Sequence, residues 1–278
     1  MISLYKTISE KCSKSITEEY STSFSSGVKM LGKHLQMPIH AIYGFVRVAD
    51  EIVDTFHEHN QAALLHEFRE ETYKAIDRGI STNPVLQSFQ WVVNEYGIDR
   101  EFIDTFLDSM AMDLEKIQYN QALYEKYILG SAQVVGLMCL RVFCEGDKAL
   151  FERLKGPAMS LGSAFQKVNF LRDINADVNQ LGRLYFPNVD LDNLTNQQKR
   201  DIEKEIDEEF QDALEGIKML PKSSKFGVFT AYRYYRGLLH KIMRVPAERL
   251  FQERIRISNG RKLALLLESR TVVGIGQV

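Results

Sequence analysis

The chain has 278 residues, enough for one large domain or two small ones with a full core, and its 45% hydrophobic and 26% charged content is that of a soluble globular protein. A formal net charge of −2 and a pI near 6.3 exclude the basic excess on which nucleic-acid binders rely, so any anionic ligand must be held by a local arrangement. Three cysteines (Cys12, Cys139, Cys144) are too few and too irregular for a disulfide framework or a structural zinc site, and they fit a reducing cytoplasm as small core residues.

In chain order, the N-terminal "MISLYKTISEKCSKS" has no apolar run of signal-peptide length. "STSFSS", from Ser21, has the residue types of a helix N-cap and turn. "RVADEIVDTFHEH" threads Asp50, Glu51, Asp54 and Glu58 between Val48, Ile52, Val53 and Phe56. On a helix Asp50 and Asp54 share one face, and Glu58 continues it. His57 and His59 diverge at i, i+2, so with Glu58 they predict a solvated face and not a metal site.

"DREFIDTFLDSMAMDLEK" puts Phe102, Ile103, Phe106, Leu107, Met110 and Leu114 on one helical stripe. Its Asp113 reads about equally as a surface residue and as one approaching a cavity. "SAQVVGLMCLRVF" is the most apolar segment and falls short of the ~18 residues a membrane span needs. "KGPAMSLGSAFQKVNFLRDINADV" predicts a helix starting near Pro157. "LTNQQKRDIEKEIDEEFQDALEGIKML" opens with Thr195 and Gln198 at capping-box spacing and repeats Ile202, Ile206, Phe210, Leu214 and Ile217, its charges covering an outer face. "SSKFGVFTAYRYYRGLLHKIM" is helical too, with core tyrosines among Tyr232, Tyr234 and Tyr235. "GIG" at Gly274–Gly276 lacks the third glycine and the strand–helix context of a nucleotide turn. "RGISTNP", "EYGIDR", "CEGDK" and "GRLYFPNVDLDN" separate helices without resembling domain linkers. No strand-like alternation and no solenoid-period repeat appear, so the expectation is a single all-α domain over residues 1–278.

Asp173 and Asp177 repeat the i, i+4 relation of Asp50 and Asp54, and Gln166 and Asn169 align with them. Two carboxylates at that spacing repel unless a cation lies between them. Facing acid pairs suit Mg²⁺, which takes hard oxygen ligands and commonly shares them with a substrate's phosphates. A diphosphate bridged in this way becomes a better leaving group. Arg47 and Arg172 closely precede their pairs, where a guanidinium can grip phosphate oxygens. A lone D-x-x-x-D carries little weight, since Asp104 and Asp108 have the same spacing in a helix whose other face is core. Two copies, each beside an arginine and inside an otherwise apolar helix, carry more.

"YSTSF", "AIYGFVRVADEIVD", "YILGSAQVVGLMCLRVF" and "AFQKVNFLRDINADVNQLGRLYFP" occur in the order seen in squalene and phytoene synthases, and the chain resembles that family from about Ser21 to "RIRISNGRKL". The resemblance implies a single-domain isoprenoid-synthase helical bundle around a central cavity. It also implies head-to-head condensation of two prenyl diphosphates through a cyclopropylcarbinyl diphosphate. By position it implies that Asp50, Asp54, Asp173 and Asp177 hold Mg²⁺. Arg47, Gln166, Asn169 and Arg172 would line that region, and Ser21, Ser23 and Phe24 would cover it. Tyr43, Tyr127 and Tyr235 match tyrosines that line the pocket or touch the diphosphates, Tyr127 as a catalytic residue.

Leu129 stands where a second tyrosine is common in the family and Gln133 where a glycine is common, which bears on substrate length or product. The expected activity is that of a phytoene synthase using geranylgeranyl diphosphate. The alternative is a squalene or dehydrosqualene synthase using farnesyl diphosphate, with NADPH if squalene forms. A non-catalytic scaffold homologue ranks third, because both acid pairs are whole. No nucleic acid and no protein partner are implied. The expected location is the cytoplasm, with room for peripheral contact at the inner face of the membrane.

Overall fold

The protein is described here by a computed structural model, covering residues 2–115, 119–187, 189, 194–274, 276 and 278. Lys116 of the "DLEK" run, most of the end of the "GRLYFPNVDLDN" connection and Ile275 of the terminal glycine pair lie outside the described residues. Every regular element is helical among those described, in the order α1 (Ile2–Tyr20), α2 (Thr22–Val28), α3 (Lys33–Asp54), α4 (Gln61–Arg78), α5 (Pro84–Tyr96), α6 (Arg100–Met112), α7 (Gln121–Ile128), α8 (Val134–Phe143), α9 (Lys148–Ala176), α10 (Asn196–Met219), α11 (Lys222–Ile242), α12 (Ala247–Leu250) and α13 (Asn259–Gly274). Two π-helical segments, Leu129–Gln133 and Asp177–Leu181, follow α7 and α9.

Local chemistry sets many of the boundaries. Asn60, Asn83, Asn120 and Asp147 cap α4, α5, α7 and α9 by accepting from backbone N–H groups. Thr195 and Gln198 form the expected reciprocal capping box on α10. α9 does not begin near Pro157 as expected. It starts at Lys148 and carries Pro157 in its interior, where a proline removes one helical hydrogen bond. Packing secures the site: a Cβ on Gly216 of α10 would lie 2.3 Å from the Pro157 Cβ, so only glycine lets the two helices meet there.

α9 is the central rod, flanked by α8 and α10, while α3 packs between α1, α5 and α8. The ring of Phe45 on α3 stacks on Phe89 of α5 at 3.9 Å, with Phe68 and Phe106 against the same ring. The stripe expected on α6 is buried, and Leu114 continues it just past the helix end. On α10 the solvated-face reading fails in one place. Lys199 and Glu203 are buried as an ion pair, and Lys199 Nζ also donates to the Ile242 carbonyl at 2.9 Å, tying α10 to the end of α11. Joined to α7, the apolar α8 segment gives a rod, Gln121–Phe143, that is long and apolar enough to cross a membrane, contrary to the reading of its core alone. Half of its most apolar window is buried inside the protein, as in a core helix.

Candidate active site

A cavity of about 850 Å³ runs along one face of α9. Leu154, Ala158, Leu161, Phe165, Asn169 and Asp173 line it at helical spacing, so the wall passes from aliphatic to aromatic to polar along one helix. From Leu154 to Asp173 this is roughly 28 Å of helix at 1.5 Å per residue. Phe143 of α8 and Leu220 beyond α10 close the apolar end. Acids and arginines crowd the other.

The structure brings most of the expected residues to that polar end. Ser21, Ser23, Phe24, Tyr43, Arg47, Asp50, Tyr127, Gln166, Asn169, Arg172, Asp173 and Tyr235 all border the cavity. Phe24 stacks on Tyr43 with centroids 4.8 Å apart, and Phe165 stacks on Tyr235 at 4.0 Å, so two aromatic pairs wall the region next to the acids. Ser21 caps α2 by accepting from the Phe24 N–H at 3.2 Å, which makes the cap-and-turn reading of "STSFSS" and its place at the cavity both true. Burial pushes the Tyr43 phenol up to about 12.

Asp54 and Asp177 do not line the cavity. They lie behind its rim, so one member of each acid pair faces the open space. Burial, and then Asp54, push Asp50 up to about 8 against the pull of Arg47. Burial, and then Asp173 and Asp54, push Asp177 up to about 8, so the field of α3's terminal acid reaches the acid after α9. Arg183 links the two ends, its side chain on Asp54 and its backbone N–H on the Asp177 carbonyl. Among the described residues no three carboxylate, imidazole or thiol side chains converge as a preformed metal cluster. Arginines brace the acids instead. Arg172 grips its neighbour Asp173 through Nε at 2.9 Å, and Arg254 Nε reaches the same carboxylate at 2.7 Å. Arg47 bonds Glu51 and lies 3.8 Å from Asp50.

This donor set suits a hard divalent cation. The acids Asp50, Glu51, Asp54, Asp113, Asp173 and Asp177 gather there, with the guanidiniums of Arg47, Arg172, Arg183 and Arg254 among them. Asn169 Oδ1 is buried with no hydrogen-bond partner among the described residues, an oxygen left open beside the acids. Raised carboxyl pKa values and an orphaned acceptor are both relieved by positive charge.

Of the two readings of Asp113, the surface one fails, and several other site residues escaped the sequence reading altogether. Asp113 is 8% exposed, accepts from Tyr127 at 2.6 Å and Tyr185 at 3.2 Å, and burial pushes it up to about 6 against the pull of Arg183. Arg183, within the quoted "GRLYFP", bonds Asp54 at 2.8 Å. Arg254, Arg256 and Lys262 reach the cavity mouth from far downstream. Lys262 also meets Thr22 of α2 at 3.4 Å.

Other expectations need correcting. α3 ends at Asp54, so Glu58 does not continue its acidic face, although Glu58, His57 and His59 are exposed as expected. Leu129 and Gln133 do not line the cavity. The π-helical segment adds a residue to the turn and shifts its phase, leaving Leu129 36% exposed while Ser131, Ala132 and Val135 form the wall. Of the cysteines Cys144 is buried, Cys139 borders the cavity and Cys12 is half-buried. Asp104 and Asp108 are the plain case of the same acid spacing: Arg69 bonds both, and Tyr73 donates to Asp104 at 2.6 Å.

The sequence profile described as squalene/phytoene synthase matches residues 17–261, and the chain belongs to that family. It is similar to phytoene synthase 1, chloroplastic, of Zea mays, with 25% identity over 285 residues, 92% of this chain and 66% of that one. The chain thus spans just under two thirds of that plant protein's length. It is 26% identical to the phytoene synthase of Arthrospira platensis over 282 residues, 91% of this chain and 89% of that one. Among solved structures, a dehydrosqualene synthase in complex with ligand superposes with a TM-score of 0.85 at 22% identity, covering 97% of this chain and 98% of that one. A squalene synthase from Alicyclobacillus acidocaldarius gives 0.73 at 20% identity, covering 85% and 93%. These neighbours share the all-α fold.

Proposed function

We propose that the chain is a Mg²⁺-dependent prenyltransferase that joins two geranylgeranyl diphosphates head to head into phytoene, releasing diphosphate. The observation that carries this reading is the polarity gradient along α9, from Leu154 at the apolar end to Asp173 at the charged end. An extended C20 chain measures roughly 20 Å with backbone bonds of about 1.5 Å in zigzag, and a C15 chain roughly 15 Å. With its diphosphate at Asp173, the longer chain fills the channel more completely.

In this reading Arg172, Arg254, Arg256 and Lys262 hold diphosphate oxygens, with Arg47 on the opposite wall. Asp50, Asp54, Asp173 and Asp177 would hold Mg²⁺, which when bound neutralises the charge growing on the departing diphosphate. The stacked pairs Phe24–Tyr43 and Phe165–Tyr235 present ring faces to an allylic cation. Apolar walls keep out the water that would quench it. A hydrocarbon product suits release into lipid. Leu263 and Leu267, each 58% exposed on α13 beside the mouth, support peripheral contact with a membrane surface.

The test is incubation of the purified protein and Mg²⁺ with C15 or C20 diphosphate, with and without NADPH, followed by extraction of the hydrocarbon. Phytoene from the C20 substrate is expected. Dehydrosqualene or squalene from the C15 substrate alone would replace this reading with the shorter one. No hydrocarbon from either would favour a scaffold role.

A further inference from the structure

Arg183 comes from the connection that follows the second acid pair, yet its side chain serves the first. Gly182, at φ +64°, takes the left-handed conformation that turns the chain there. The Arg183 N–H then bonds the Asp177 carbonyl at 2.9 Å. From that anchor Nη1 donates to Asp54 Oδ1 at 2.8 Å and lies 3.6 Å from Asp113 Oδ1. Nη2 donates to the Asp113 carbonyl at 2.6 Å and to the Val53 carbonyl at 3.5 Å. One guanidinium thus touches α3 and the end of α6 while its backbone is fixed to the acid after α9.

The two halves of the fork do different work. Nη2 holds main-chain oxygens and ties helices together whatever happens to Asp54. Nη1 supplies the positive charge that Asp54 would otherwise draw from a cation. The Arg183 side chain is 14% exposed and that of Asp54 is 34%, so the carboxylate keeps more open surface than the arginine paired with it. A single fixed charge already bonded there lowers the affinity of the free carboxylate for a divalent cation.

We propose that Arg183 is the built-in counter-ion of this site: it neutralises Asp54 in the ligand-free chain and yields it when a divalent cation binds. Cation loading is then weak until a diphosphate adds negative charge, which couples metal binding to substrate binding. The proposal rests on the reading of Asp54 as a metal ligand. The carbonyl contacts through Nη2 keep Arg183 in place after Asp54 is released, so the tether between α3 and α6 survives loading.

The experiment is a titration of Mn²⁺, followed by electron paramagnetic resonance, into wild type, Arg183→Gln and Arg183→Lys, with and without inorganic pyrophosphate. Without pyrophosphate, R183Q is expected to bind Mn²⁺ about tenfold tighter than wild type. R183K keeps a charge but loses the fork, so it should fall between them. Loss of a merely structural contact would not raise affinity. A folded R183Q that binds Mn²⁺ no tighter than wild type overturns the proposal. If R183Q does not fold, R183K decides, and an affinity equal to or below wild type overturns it. If no chain binds Mn²⁺ even with pyrophosphate, the metal reading fails and the proposal with it.

Discussion

Tyr127 on α7 and Asp113 at the end of α6 share a buried hydrogen bond of 2.6 Å from phenol to carboxylate, and Tyr127 also forms part of the cavity wall. Asp113 in turn lies against Arg183, so the tyrosine acts on the acid end of the site through one intermediary. Tyr127→Phe removes the shorter of the phenol hydrogen bonds to Asp113 and leaves that of Tyr185. A hydrogen bond to a charged group is worth about 2 kcal/mol. The variant should therefore show a lowered Tm together with a turnover at least tenfold lower. Unchanged melting and unchanged kcat would mean that the contact has no functional weight.

The chain contains its own control for the acid pairs. Asp104 and Asp108 have the spacing of Asp50 and Asp54, but Arg69 and Tyr73 use them in a surface bridge. Asp50→Ala and Asp173→Ala should each abolish hydrocarbon formation while the far-ultraviolet circular dichroism stays helical. Asp104→Ala and Asp108→Ala should leave kcat within twofold and cost about 1 kcal/mol or less. Full activity in the D50A or D173A protein would remove these residues from the site.

That contrast also marks how far the sequence could be read. Helical stripes and the Thr195 capping box are local patterns with a fixed period, and the fold places them as expected, whereas only Asp50 and Asp173, one member of each acid pair, border the cavity. Which acid pair meets a partner guanidinium is a tertiary fact that spacing does not carry. The same holds for Arg254, which meets Asp173 from 81 residues downstream, and for Lys262, which borders the same cavity from α13. Leu129 and Gln133 were misplaced because a π-helical segment changes phase without a sequence signal strong enough to mark it. Lys199 and Glu203 look like surface residues in any window, and only the Ile242 carbonyl explains their burial.

Substrate length can be tested from the wall of α9. Ala158 borders the apolar half of the cavity, roughly 22 Å along the helix from Asp173. A phenyl ring there shortens the space available to a chain anchored at the acids. Ala158→Phe should lower kcat/KM for the C20 diphosphate at least tenfold and change that for the C15 diphosphate far less. Equal losses on both substrates would show that the chain does not run along this face.

His40 offers a pH test well away from the acids. It is 2% exposed on α3 where α1 packs, its Nδ1 has no hydrogen-bond partner among the described residues, and burial lowers it to about 4, with Glu18 opposing and Lys14 and Lys29 adding to the shift. The folded chain therefore keeps His40 neutral where the unfolded chain, with an ordinary value near 6.5, takes up a proton. This contribution to stability is fully present above pH 6.5 and is lost as pH falls toward 4, up to about 3 kcal/mol. α1 leads directly into α2, so loosening α1 also frees the Ser21–Phe24 cover of the cavity. His40→Gln, which does not titrate, should flatten the fall in the urea midpoint between pH 6.5 and pH 4.5. Parallel curves for wild type and variant would assign the acid sensitivity of the fold to other groups.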